Sequence, residues 1–143
     1  MEVLQRLTRR QLDVLEVIGA RETPALGVSL NEIASSLHVR PPSALAHIDV
    51  VETLGLVDRH RGKSRLSPRG RACLDEYYRH HRVAESLFEK LGLPPEATCE
   101  AAREVDLALT HRTVERICEA AGHPQLCPHG EPIEHAHRAA RRK

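Results

Sequence analysis

Apolar positions recur at helical spacing along almost the whole chain. Leu12, Leu15 and Ile18, with Val14 beside them, form one stripe from about Thr8 to Ala20, and Thr8 suits the N-cap of that helix. Arg21 to Val28 reads as a loop, punctuated by Pro24 and Gly27. Ser29 then opens a short helix. Glu32 follows it at capping-box spacing, and Leu30, Ile33, Ala34 and Leu37 give the buried face. After the turn His38-Val39-Arg40, Pro41 and Pro42 can only occupy the first turn of a helix. That third helix runs through Leu45, Ile48, Val51 and Leu54 and stops at Gly55.

The segment Leu56 to Leu66 has apolar ends around a basic, glycine-containing centre, which predicts a β-hairpin; Arg61-Gly62-Lys63 does not decide the turn type. Ser67-Pro68 starts a long helix reaching about Leu91, and Gly92 to Pro95 breaks it. A helix from about Ala97 to Leu109 follows, then one capped by Thr110 that ends at Gly122. The tail from His123 holds Pro124, Pro128 and Pro132, and its last stretch, from Glu134, has the composition of a charged helix.

Helix, helix, short turn, helix and basic hairpin is the order of a winged helix-turn-helix. Its second paired helix enters the major groove with its N-terminal residues at the base edges. Those residues are Arg40, Ser43 and, one turn on, His47; Ala44 and Ala46 are small enough for close approach. From Leu56 to Arg71 six basic residues face a single acid, Asp58. Arg59, Arg61, Lys63 and Arg65 on the hairpin therefore suit phosphate contact beside the groove. The same pattern also serves protein–protein adaptors. Gly62-Lys63-Ser64 is no phosphate loop, because Val57 stands where that loop requires Gly.

Composition adds three things. The 143 residues, 41% hydrophobic and 29% charged, suit one folded domain or two small ones, and a net charge of +1 leaves any basic surface local. No apolar run approaches the ~18 residues of a membrane helix and the start lacks a signal-peptide core, so a cytoplasmic chain without a membrane partner is expected. Aromatics are 2% (Tyr77, Tyr78 and Phe88), so the core is aliphatic. A small aliphatic core is marginal alone, which predicts a homodimer, with Leu87, Phe88, Leu91, Val114 and Ile117 as interface candidates.

The chain holds 10 histidines, mostly from position 80 onward, and 4 cysteines. Where disulfides are disfavoured, this pairing points to metal or redox chemistry. His81 and Glu85 share a helix face, as do Cys99, Arg103 and Asp106 on the next helix. Antiparallel packing across the Gly92–Pro95 turn would bring His81, Glu85 and Cys99 together. Nitrogen, oxygen and sulfur donors suit Fe(II), Zn(II), Ni(II) or Co(II) better than Mg(II) or Ca(II). Cys127-Pro128-His129-Gly130 offers a further Cys-x-His pair. The ordinary alternatives are a surface His81–Glu85 pair and core cysteines, and Cys118, flanked by Val114, Ile117 and Ala121, reads as core. No His-Glu-x-x-His, Gly-x-Ser-x-Gly or Cys-x-x-Cys occurs, which argues against an enzyme and a small organic substrate.

From about Thr8 to Ile133 the chain resembles the diphtheria toxin repressor family, which includes the manganese transport regulators. The resemblance rests on Ser29-Leu30-Asn31-Glu32-Ile33-Ala34, Gly55-Leu56-Val57, Leu66-Ser67-Pro68-Arg69-Gly70 and His81-Arg82-Val83-Ala84-Glu85-Ser86-Leu87. It continues in Gly122-His123-Pro124 and in Cys127-Pro128-His129-Gly130-Glu131-Pro132-Ile133. It implies a homodimer that binds palindromic double-stranded DNA when loaded with Fe(II), Mn(II) or a related ion and represses metal-homeostasis genes. Of the family's two adjacent metal sites, one matches: His81 and Glu85 fall on its His and Glu, and Cys99 falls where His is frequent. The other departs. Arg10 replaces a Met or Asp, Arg103 a Cys or Glu, and Leu107 a His, and only Asp106 keeps a carboxylate.

The resulting expectation is a mainly α chain. Residues 1–67 form a winged helix-turn-helix, residues 68–143 an all-helical dimerisation and metal-sensing domain, and the SH3-like third domain of longer members is absent. One divalent transition metal ion per chain, Fe(II), Mn(II), Zn(II), Ni(II) or Co(II), would be held by His81, Glu85 and Cys99. Asp106 or the Cys127–His129 loop would complete the set. The degenerate second site leaves a rival expectation, a regulator sensing thiol oxidation at Cys99 or Cys127 near Arg103.

Overall fold

The computed structural model describes residues 2–135 and divides into two compact units, residues 3–75 and residues 76 onward with Glu2. In the first unit a 3-10 turn (Leu4–Arg6) precedes α1 (Arg9–Arg21), β1 (Val28–Ser29), α2 (Leu30–Ser36), α3 (Pro41–Thr53), β2 (Val57–His60) and β3 (Lys63–Leu66). Helix α4 (Pro68–Lys90) begins in this unit and continues into the second, which adds α5 (Pro95–Val105) and α6 (His111–Ala120).

Local chemistry sets the boundaries. Thr8 and Gln11 form a reciprocal capping box on α1, and Ser29 and Glu32 form another on α2. Pro41 and Pro42 open α3, where a missing N–H costs nothing. Its end is a Schellman motif: Gly55, at φ +73°, donates to the Glu52 carbonyl, and Leu56 N–H donates to that of Val51. In the β2–β3 hairpin, His60 pairs with Lys63 across a two-residue loop. Arg61 and Gly62 both have positive φ, at 49° and 74°, which makes it a type I′ turn.

The sheet has order β1-β3-β2, all antiparallel. Its strand β1 takes the last residue of the segment expected to be a loop, Val28, and the helix-capping Ser29. Two residues are too short to show a period, and Val28 is a strand because it pairs with Ser64 far along the chain. Gly70 is required by packing: a Cβ there would lie 1.9 Å from the Leu56 carbonyl oxygen. Ser67 fixes the same corner, donating to the Gly55 carbonyl and accepting from Gly70 N–H.

In the second unit, α5 starts at Pro95 and ends at Val105, shorter at its C-terminal end than the Ala97–Leu109 expected. The core gathers Val83, Val114, Cys118, Cys127 and Ile133, with Leu109 and Ile117 against it. Val114, expected at a subunit interface, is instead fully buried in this core. Cys118 is core, as its flanking residues indicated. The chain after α6 is a compact loop: Leu126 bridges Pro132, and Cys127 and Gly130 are tied by backbone hydrogen bonds. Helix α4 secures this loop, since Arg79 donates to the Glu134 carbonyl and Arg82 to that of Pro132. Most of the charged helix expected from Glu134 lies outside the described residues. Among those described, no helix is long and apolar enough to cross a membrane.

Candidate metal centre and nucleic-acid interface

In the second unit the donor side chains meet around Glu85. Helical spacing stacks His81 and Glu85 one turn apart on α4, with Glu85 only 2% exposed. His81 Nε2 lies 3.5 Å from Glu85 Oε1, and Cys99, from α5, brings Sγ to 3.6 Å from the same nitrogen. From the loop beyond α6, His129 brings Nδ1 to 2.9 Å from Glu85 Oε1, and Cys127 hydrogen-bonds the same carboxylate. Two donor triads, His81–Glu85–Cys99 and Glu85–Cys127–His129, thus share one buried carboxylate, with ligand atoms within 4.8 Å of one another in each.

Asp106 has a different place. Fully buried, it meets His81 at Nδ1, 2.9 Å away, on the ring's far side from Glu85 and Cys99. It holds the imidazole with its proton on Nδ1 and leaves the Nε2 lone pair facing the donors. That is how metal-binding histidines are commonly oriented, and it sets Asp106 behind His81, apart from the other candidate donors.

The electrostatics suit a cation. Glu85 Oε1 faces His129 Nδ1 and His81 Nε2, and a buried carboxylate is costly unless it is hydrogen-bonded or given positive charge. Burial, then Glu85, push the Cys99 thiol above its ordinary range, against a smaller opposing effect of Arg103. Burial raises Cys127 as well, partly offset by the backbone N–H groups of His129 and Glu131. Redox-sensing thiols need lowered pKa values, so both shifts run against the thiol-oxidation alternative. A divalent ion would reverse them by favouring the thiolates. In a tetrahedron, Zn–S of about 2.3 Å and Zn–N of about 2.0 Å make an S···N edge of about 3.5 Å, close to the Cys99–His81 separation.

Of the departed second set, Arg103 is exposed on α5 and Leu107 half-buried just beyond it. Arg10 is exposed on α1 in the first unit.

In the first unit, Arg40 and Ser43 are exposed at the start of α3, and His47, one turn on, is half-buried. Ala46 and Val50 continue the exposed strip; Val50 is 40% exposed, unusual for valine away from a contact. The hairpin cations divide. Arg61 stands exposed at the turn tip. Arg59 pairs with Asp49 at 2.8 Å and with Glu52, Arg65 donates to the Pro24 carbonyl at 2.9 Å, and Lys63 lies 3.9 Å from Glu32. Arg59 and Arg65 are thus engaged in bracing the hairpin, which the charge count alone did not reveal.

Comparison with known proteins shows what the chain is similar to. A sequence profile described as "Iron dependent repressor, metal binding and dimerisation domain" matches residues 67–135, the stretch that carries every donor above. Through this segment the chain is similar to the metal-binding and dimerisation domain of iron-dependent repressors. Solved structures agree. A hypothetical protein, SSo2273 from Sulfolobus solfataricus, is 26% identical with a TM-score of 0.84, over 90% of this chain and 100% of its own. IdeR from T. acidophilum is 29% identical with a TM-score of 0.64, over 89% of this chain and 59% of its own. A manganese-dependent transcriptional repressor in complex with manganese is 29% identical with a TM-score of 0.71, over 90% of this chain and 59% of its own. The chain therefore spans about three-fifths of these two repressors. No curated protein matches it. The manganese-bound relative is described as a transcriptional repressor.

Proposed function

We propose that this chain is a metal-responsive transcriptional repressor that binds palindromic double-stranded DNA as a homodimer. Residues 1–67 act as a winged helix-turn-helix and residues 68–143 dimerise and bind the ion. The observation that carries this reading is the buried Glu85 carboxylate, shared by two imidazoles and two thiols with Asp106 behind His81. His81, Glu85, Cys99, Cys127 and His129 would hold one divalent transition ion; when bound, it supplies positive charge that a carboxylate and two thiolates require. Mixed N, O and S donors favour Fe(II), Co(II), Ni(II) or Zn(II), and Mn(II) relies on the oxygen and nitrogen donors.

On the DNA side, Arg40, Ser43 and His47 would meet base edges, and the methyl-bearing strip Ala46–Val50 suits thymine methyl groups. Arg61 and Lys63 would take phosphates, with Arg59 and Arg65 bracing the wing behind them. For the dimer, Leu87 and Ile117 line an apolar groove, and Leu91 nearby in sequence is 68% exposed. A second copy covering them would bury surface that a monomer leaves wet. Coupling requires only that the ion prefer the DNA-competent form, by about 1–3 kcal/mol in typical cases. The test is binding to operator DNA, selected from random duplexes, with and without chelator, alongside sedimentation. Metal-dependent binding by a dimer is expected; chelator-insensitive binding, or a monomer on DNA, would refute the proposal.

A further inference from the structure

A second constellation stands at the other end of α6, outside the Glu85 donor set. Cys118 points from the last turn of α6 and is fully buried. The helix closes on a Schellman motif through Gly122 and His123, and the loop then returns to His135. Cys118 Sγ lies 3.6 Å from His123 Nδ1 and 3.5 Å from His135 Nδ1, and the three atoms are within 4.8 Å of one another. We propose that Cys118, His123 and His135 form a second metal site, for an ion of the Zn(II) class.

Three features support a metal over a chance contact. First, both S···N separations match the edge of about 3.5 Å set by ordinary Zn–S and Zn–N lengths in a tetrahedron. Second, His135 Nε2 is 3.0 Å from the Pro124 carbonyl oxygen. A carbonyl only accepts, so a proton on Nε2 serves it, with Gln125 Nε2 3.3 Å away, and that tautomer turns the Nδ1 lone pair to Cys118, the ligand-orienting arrangement suited to His81. Third, the sulfur and both ring nitrogens lie close enough together for one cation to satisfy all three at once. The two rings meet edge to face, 5.9 Å apart at 78°. His123 also holds φ at +53°, a conformation uncommon for a residue with a side chain, which aims its ring back toward Cys118.

The donor set chooses the metal. One sulfur and two nitrogens, with no carboxylate among the three, favour Zn(II) or Co(II) over Mn(II) or Mg(II). Three protein ligands leave the fourth position to water or an added ligand. A bound ion would clamp the segment from Pro124 to His135 onto α6. That segment carries Cys127 and His129, so this site would steady donors of the Glu85 centre while keeping a different metal preference. The expected total becomes two ions per chain.

The test is a Zn(II) titration of the reduced, metal-free full chain against a chromophoric chelator, repeated on variants. Two equivalents are expected for the parent chain. His123→Ala and His135→Ala, both outside the core, should each leave one equivalent, as should Glu85→Ala; Glu85→Ala combined with His135→Ala should leave none. Cys118→Ser should match the histidine variants, which carry the test if that core substitution fails to fold. Retention of two equivalents at unchanged affinity in both histidine variants overturns the site, as does a single parent equivalent unaffected by His135→Ala. If Glu85→Ala loses nothing while His135→Ala loses one ion, this site stands and the Glu85 centre falls.

Discussion

The two units bury polar groups differently. In the first, the nearly buried Glu22 side chain is spent on structure: Leu66 N–H donates to it at 2.8 Å and Arg71 pairs with it. The second buries Arg79, His80, Glu85 and Asp106 within a smaller stretch of chain. A buried charge is costly unless paired and hydrogen-bonded. Glu22 is paired by cation and backbone, so it explains itself. Glu85 faces imidazoles and thiols, and that company makes sense once a cation joins it. The lesson is that a buried carboxylate among imidazoles and thiols gathers metal donors, whereas one held by a guanidinium and a backbone N–H serves structure.

The comparison can be broken from either side. The largest effect is expected at Gly70→Ala in the first unit. Its Cβ would meet the Leu56 carbonyl at 1.9 Å, and backbone cannot yield cheaply, so denaturant unfolding should show a loss of about 3 kcal/mol. Next, Asp106→Ala in the second unit should weaken metal binding by about 10–100-fold, because His81 loses the partner that orients it. Unchanged affinity would return Asp106 to a structural role.

A pH effect should follow at His80. Burial, then His111 and Arg79, lower its pKa to about 4, with Glu2 opposing and Glu76 3.6 Å away. The native chain refuses a proton that the unfolded chain accepts near pH 6.5. Stability is therefore full above that pH and falls as pH drops toward 4, by at most about 1.4 kcal/mol per pH unit from this group. His80→Leu should flatten that part of a pH–stability curve. The smallest effect concerns the wing: Arg61→Ala with Lys63→Ala should lower the log–log salt slope of DNA binding by about 0.9 per lost phosphate contact. An unchanged slope would move the anchor elsewhere.

Much of the first unit was legible, because its signals are local. Ser29 with Glu32 and Pro41 with Pro42 announce helices within four residues, and the hairpin's basic centre marks its turn. Strand β1 was not legible, since its partner Ser64 lies far along the chain. In the second unit, His81 and Glu85 could be read from one helix face. That His129 reaches Glu85 from a distant loop, and that Asp106 stands behind His81, depends on tertiary packing that spacing does not encode. Cys118 read as core and is core; its two histidine neighbours only the folded loop brings near. The same holds for Arg59, whose acidic partners on α3 turn an apparent phosphate contact into a brace.

The central claim is that Glu85 is the hub joining metal to DNA binding. The most direct measurement is a Co(II) titration of the reduced chain and of Glu85→Ala, read by thiolate-to-cobalt absorption and by operator affinity in the same samples. The parent chain should gain absorption and operator affinity together. Glu85→Ala should lose the part of the band owed to Cys99 and Cys127 and, with it, the metal-dependent gain in affinity. A Glu85→Ala chain whose band and operator binding respond to Co(II) as the parent's do would contradict the claim.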